Sequence, residues 1–180
     1  MKKKTNYKWL VRVVLISVVA SMVFTVASSE IIGHAGYAVA LVTLALFIAI
    51  GVAFDIIGVA VTAAQEAPFH AMAAHRERGA SDALKLIKNA DRTASICNDV
   101  VGDVTGIVSG STAALLAARL IEGLGSDGLL FPLLISGVVT GLMICGKAVG
   151  KTFAINHSTA ILAGVGKFIH VLRFRKNPSK

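Results

Sequence analysis

The chain has 180 residues, of which 55 % are hydrophobic and only 16 % charged, with a mean hydropathy of +0.74. A soluble domain runs nearer a quarter charged, so this much apolar surface cannot hide in one water-soluble core of this size; disordered, collagen-like and disulfide-scaffold chains are excluded as well. The net charge of +8 is not spread as a nucleic-acid-binding face: all but Arg119 of the 18 basic residues fall in three clusters (Lys2, Lys3, Lys4, Lys8, Arg12; Arg76, Arg78, Lys85, Lys88, Arg92; Lys147, Lys151, Lys167, Arg173, Arg175, Lys176, Lys180) with apolar runs between them, the positive-inside pattern of a membrane protein.

The first apolar run is residues 9–29, about 20 residues and enough to span a hydrocarbon layer of roughly 30 Å. Arg12 near its start can snorkel to the headgroups. A signal peptide is the competing reading, with Lys2 to Lys4 as its basic region and Thr25-Val26-Ala27 as a small-x-small cleavage site. Residues 28–36 form an outside loop without Lys or Arg. The second run, residues 37–64, is interrupted once by Asp55. A polar cytoplasmic stretch follows over residues 65–92: Pro68 suits the first turn of a helix, Gly79 divides two short juxtamembrane helices, and Asp91 is placed to cap the next helix. The third run, residues 93–121, carries Asn98, Asp99 and Asp103 near its cytoplasmic end. Residues 122–128 make the outer loop, and the fourth run, 129–146, returns to Lys147 inside. In residues 151–176, Ile161, Val165, Phe168 and Leu172 recur at helical spacing beside Lys167, His170 and Arg173. Two readings stand there: an amphipathic helix in the inner headgroup region, or a helix packed on neighbouring protein.

No catalytic constellation assembles. Gly141 to Lys147 imitates a phosphate loop but continues with Ala148, and the overlapping stretch ending at Lys151-Thr152 has Cys145 at the first glycine position. His70 and His75 are five apart and do not share a helix face as a metal pair would, and Cys97 and Cys145 lack metal spacing. Gly102, Gly106 and Gly110, and likewise Gly137 and Gly141, recur every four residues, which lets helices approach closely in lipid, within one subunit or at a homodimer seam.

The informative residues are the charges on the spans: Asp55, Asp99, Asp103 and Lys147. A charge at a span centre costs at least about 2.5–3.5 kcal/mol, so it faces protein, a partner charge or a water-filled cavity. The topology puts all four in the inner half of the membrane. They read either as a cytoplasm-facing polar cavity suited to a hard cation with oxygen ligands, or as a salt-bridge cluster around Lys147 with interfacial solvation.

Three stretches resemble the transmembrane domain of the cyclin-M (CNNM)/CorC family of magnesium transport proteins, over roughly residues 37–166. Phe54 through Ala60-Val61-Thr62-Ala63, with Ala90-Asp91-Arg92 after the basic helices, looks like the family's F-S-x-S-E-x-A-L-T-S and P-D-R. Ile96-Cys97-Asn98-Asp99-Val100-Val101-Gly102 looks like I-G-N-N-x-V-N, and the stretch from Gly146-Lys147 to Lys151-Thr152-Phe153-Ala154 looks like G-E-x-x-P-K-T-x-A. In the family, Ser, Asn and Glu groups of these motifs hold magnesium, whose export is coupled to sodium. Here the first motif's Glu falls at Gly58 and its preceding Ser at Ile57; the last motif's Glu falls at Lys147 and its Pro at Gly150. Asn98 is retained and Asp99 replaces the second Asn.

The resemblance implies an all-α, polytopic membrane helix bundle: a three-span CNNM/CorC-like core with juxtamembrane helices and an extra N-terminal span, without the family's soluble regulatory regions. The expected division is residues 1–35 for the N-terminal span and outer loop, 36–166 for the transmembrane domain and 167–180 for a basic tail. The expected function is non-enzymatic divalent cation transport, with Asp55, Asn98, Asp99 and Asp103 as candidate cation ligands and Lys147 as their counter-ion. No resident cofactor is expected; magnesium enters as the transported ion. The alternative is a transport-inactive scaffold or accessory subunit. Expected partners are the lipid bilayer, anionic headgroups at the C-terminal helix and a second copy in a homodimer, with no nucleic acid. The expected location is the plasma membrane, both termini cytoplasmic.

Overall fold

A computed structural model describes residues 7–34, 36–124 and 130–176. The elements among them are all helical: α1 (Tyr7–His34), α2 (Tyr37–Ala63), α3 (Glu66–Ala74), α4 (Ala80–Lys88), α5 (Ala90–Ser95), a π-helical segment (Ile96–Gly102), α6 (Asp103–Leu124), α7 (Leu130–Asn156) and α8 (Ser158–Lys176). Helix is the expected answer for apolar runs of this length, because only a helix satisfies every backbone N–H and C=O within its own segment. Among the described residues, three stretches are long and apolar enough to cross a membrane: Tyr37–Ala63, Ala90–Ile121 and Leu130–Asn156. At about 1.5 Å per residue each exceeds the roughly 30 Å hydrocarbon thickness. The apolar part of α1, Val11–Ala27, is shorter.

The expected short helical pair is present. Pro68 lies in the first turn of α3, and Gly79 separates α3 from α4 in a left-handed conformation, φ +87°. Four boundaries differ from the sequence expectation. The expected outer loop from Ser28 is helical through His34, and α6 runs on to Leu124; residues 125–129 lie outside those described. Asn89, not Asp91, is the N-cap of α5, and Asp91 sits in the first turn, where a carboxylate also favours the positive end of the helix dipole. Lys147 does not end the fourth run, since α7 continues through it to Asn156.

The chain divides into two compact units, Met1–Val52 with Asp99–Gly146, and Ala53–Asn98 with Lys147–Lys180. In the first, α1 packs along α6. Ala40, Leu44, Ala113 and Leu116 form the buried core, bordered by Ile48 and Val139. A Cβ at Gly51 would strike the Thr105 hydroxyl, and one at Gly106 the Met143 methyl, so these two glycines do set close approach. Gly110, Gly137 and Gly141 have open space on that side. Phe24 of α1 meets Phe47 of α2 edge to face at 6.0 Å.

In the second unit Val61, Phe69, Ala83 and Leu162 form a core that joins α2, α3, α4 and α8. Here α8 crosses the start of α4 backbone to backbone. A Cβ at Gly166 would meet the Gly79 carbonyl and Ala83, and one at Gly79 would meet the backbone of Gly166 and Lys167. Gly79→Ala is therefore expected to cost about 1–2 kcal/mol for the left-handed conformation alone, and Gly166→Leu a further overpacking cost of about 1–3 kcal/mol. Gly164→Ala, where nothing lies within 4 Å, should be near neutral. Thermal melts of the three variants in detergent test this order.

Candidate functional site

Asp55 stands on α2 between apolar neighbours and is buried, with 6 % of its surface exposed. Lys147, on α7, reaches it: Nζ lies 2.9 Å from Oδ2. Both belong to the second unit. At that distance the contact is a charge-assisted hydrogen bond, and the pair is neutral as a whole. One turn along α2 from Asp55, Gly58 faces Asn98 so closely that a Cβ would overlap the side-chain amide. Asn98 Oδ1 is buried, and no hydrogen-bond donor reaches it. This oxygen is a neutral acceptor of the type that a hard cation takes.

Asn98 lies in the π-helical segment, whose wider turn shifts side chains relative to a regular helix. The same segment carries Asp99, and Asp103 opens α6 immediately after it. Asp99 and Asp103 belong to the first unit and are both exposed. They line one cleft of about 420 Å³ together with Ser17 and Ser21 of α1 and Val104 and Ile107 of α6. Ser17 donates its hydroxyl hydrogen to the Val13 carbonyl at 2.9 Å. The five sequence candidates thus divide: Asp55, Asn98 and Lys147 in one unit, Asp99 and Asp103 in the other. Among the described residues, no three or more His, Cys, Asp and Glu side chains gather where they could hold a metal ion.

Sequence reasoning missed Ser17 and Ser21, although two hydroxyls four apart on an apolar helix share a face and were the available signal. It also missed Asp82. This buried acid on α4 holds Lys85 at 2.8 Å through Oδ1, Arg173 at 3.4 Å through Oδ1 and His170 Nδ1 at 3.5 Å through Oδ2. The hydrogen bond from Lys85 is the main reason its carboxyl lies below the ordinary value of 3.8; burial opposes this, while the Lys85 charge, the His170 contact and the Arg173 charge reinforce it. The cluster ties α8 to α4.

Two predictions follow from these ion pairs. Lys147→Met leaves Asp55 buried without its cation, so stability should fall by about 3–5 kcal/mol, and Lys147→Met with Asp55→Asn should recover much of the loss. Thermal melts of the singles and the double measure this. Asp82 has its lower pKa in the folded state, so its contribution to stability is complete above the unfolded-state pKa and is lost as pH falls through the folded one. The acid limb of the stability profile, below about pH 4, should therefore flatten in Asp82→Asn, read by chemical unfolding across pH.

Comparison with known proteins adds one match. A family model described as Cyclin M transmembrane N-terminal domain covers residues 43–178, more than half of the chain. The helix α1 lies before that match. No curated protein and no solved structure matches the chain significantly.

Proposed function

The chain belongs to the cyclin M transmembrane-domain family, a family of multi-pass membrane proteins associated with divalent cation transport, and from that premise we propose that it exports magnesium through a diverged cation site. The observation that carries this reading is that Asp99 and Asp103 open onto the same cleft. Magnesium dehydrates reluctantly and is commonly held by one or two carboxylates with several of its waters retained. Two accessible carboxylates with hydroxyls beside them supply such a site without a closed cage. Asp55 is then a structural acid, because Lys147 already neutralises it.

The positive clusters support an orientation with both termini in the cytoplasm, in the plasma membrane. Pairing of two copies along α7 is supported by Gly137 and Gly141, which have no neighbour within 4 Å on their free side.

A second reading is favoured by the Asp55–Lys147 pair and by Gly58: a transport-inactive scaffold or accessory subunit in which a fixed ammonium replaces the mobile cation. Thermal melts with and without magnesium decide between them. A transporter should be stabilised by about 2.7 kcal/mol at a hundredfold excess over Kd. Asp99→Asn and Asp103→Asn should each abolish that gain, read as the difference between each variant's melts with and without magnesium. A flat response to every divalent cation, together with no magnesium flux from proteoliposomes, would leave the scaffold.

A further inference from the structure

The helix α8 has two faces of different character. One is docked on protein: Leu162 is fully buried, Gly166 rests on Gly79 and Ala83, and His170 and Arg173 hold Asp82. The opposite face carries Phe168, Val171 and Leu172, exposed by 65 %, 64 % and 51 %. Their spacing of three and four places them on one strip, which Ala160 and Gly164, also exposed, continue toward the start of the helix. Lys167 borders the strip and is exposed as well. The helix also contains Arg173, Arg175 and Lys176, and no acidic residue.

We propose that this free face of α8 is an interfacial anchor that seats Phe168, Val171 and Leu172 among the headgroups of an anionic leaflet. The lipid is chosen on two grounds. First, the chain crosses a membrane, so a leaflet is within reach of a helix that leaves three large apolar side chains uncovered. Such a strip beside basic residues has the chemistry of an interfacial helix, with the apolar side chains entering the acyl boundary and the lysine stem snorkelling to the phosphates. Second, the charge selects the surface. A second copy of a helix with four lysines and arginines and no acid would set cation against cation, whereas anionic lipid is complementary. The docked face bears on the same point, because Asp82 fixes Arg173 and His170 and so keeps the apolar strip turned away from α4. The anchor is independent of whether the protein carries a cation.

The test uses the full chain in lipid nanodiscs. Its single tryptophan is removed by Trp9→Phe, and a reporter is introduced by Phe168→Trp, with Val171→Trp as a second version in case the first disturbs folding. In discs containing anionic lipid, the indole should emit to the blue, be quenched by brominated acyl chains and resist aqueous iodide. Neutral discs should show weaker bromolipid quenching. Lys167→Glu should lower the ratio of inserted to lifted helix in anionic discs about fivefold or more, the factor equivalent to one basic residue near a charged surface. An indole that iodide reaches and bromolipid does not, in anionic discs, would overturn the proposal. Equal quenching in neutral and anionic discs would overturn the anionic selection. Disulfide capture between copies through Val171→Cys, with Cys97 and Cys145 replaced by Ser and with lipid quenching absent, would assign the strip to a second copy and likewise overturn it.

Discussion

A carboxylate on an apolar, membrane-length helix is the constraint around which the second unit is built. Asp55 is buried on α2 and has Lys147 of α7 at 2.9 Å. Neither charge is tolerable alone at such a place, since an unpaired buried ion is far more expensive than a neutral pair. The pair therefore fixes how α7 stands beside α2 within that unit: the ammonium must remain within hydrogen-bonding reach of one oxygen. It also explains why α7 continues to Asn156 without a break. A lysine whose charge is matched by protein has no need to reach water, and so does not mark the end of a helix.

The same pair alters the chemistry available to a cation. In the family motifs that these stretches resemble, acids stand where this chain has Gly58 and Lys147. Losing two acids and gaining one base changes the local charge by three units if the Glu residues of those motifs are ionised, far outside what small shifts of geometry can offset at a buried site. The Oδ1 of Asn98 faces a glycine and has no donor. A polar oxygen left in that state ordinarily costs about 1–3 kcal/mol. Asp99 and Asp103, by contrast, are exposed.

Much of the architecture was legible from local pattern alone. Apolar run length identifies the spans, Gly79 the break between the juxtamembrane helices, and Pro68 the start of α3. The errors have a common physical origin. Residues 28–34 look like a loop because Ser28, Ser29, Glu30, Gly33 and His34 are polar or small, but a helix already begun satisfies its backbone more cheaply by continuing. Lys147 looks like a boundary because its partner is 92 positions away in sequence. The Arg173–Asp82 contact joins residues 91 apart, and no periodicity reports such a pairing. The π-helical segment has no sequence signature that propensity can register; one residue more per turn is set by what the flanking helices pack against. Candidate residues could thus be named from the sequence, Lys147 among them as a counter-ion, but not which of the acids it meets.

The N-terminal helix bears most directly on what is particular to this chain. It precedes the part of the sequence that matches the family, yet it packs along α6 and places Ser17 and Ser21 at the cleft of Asp99 and Asp103. A cleft walled on one side by α1 exposes its carboxylates to fewer waters than an open helix surface would, and a lower local dielectric strengthens their attraction for a cation while raising the cost of stripping its hydration shell. Serine hydroxyls moderate that cost, because their oxygens can replace part of the shell without adding charge. In a cation site of this kind, selection between a strongly hydrated ion and a weakly hydrated one would depend on how much water the α1 wall admits. On the proposed reading, the element outside the family's match would set the terms on which the acids beside it meet a cation.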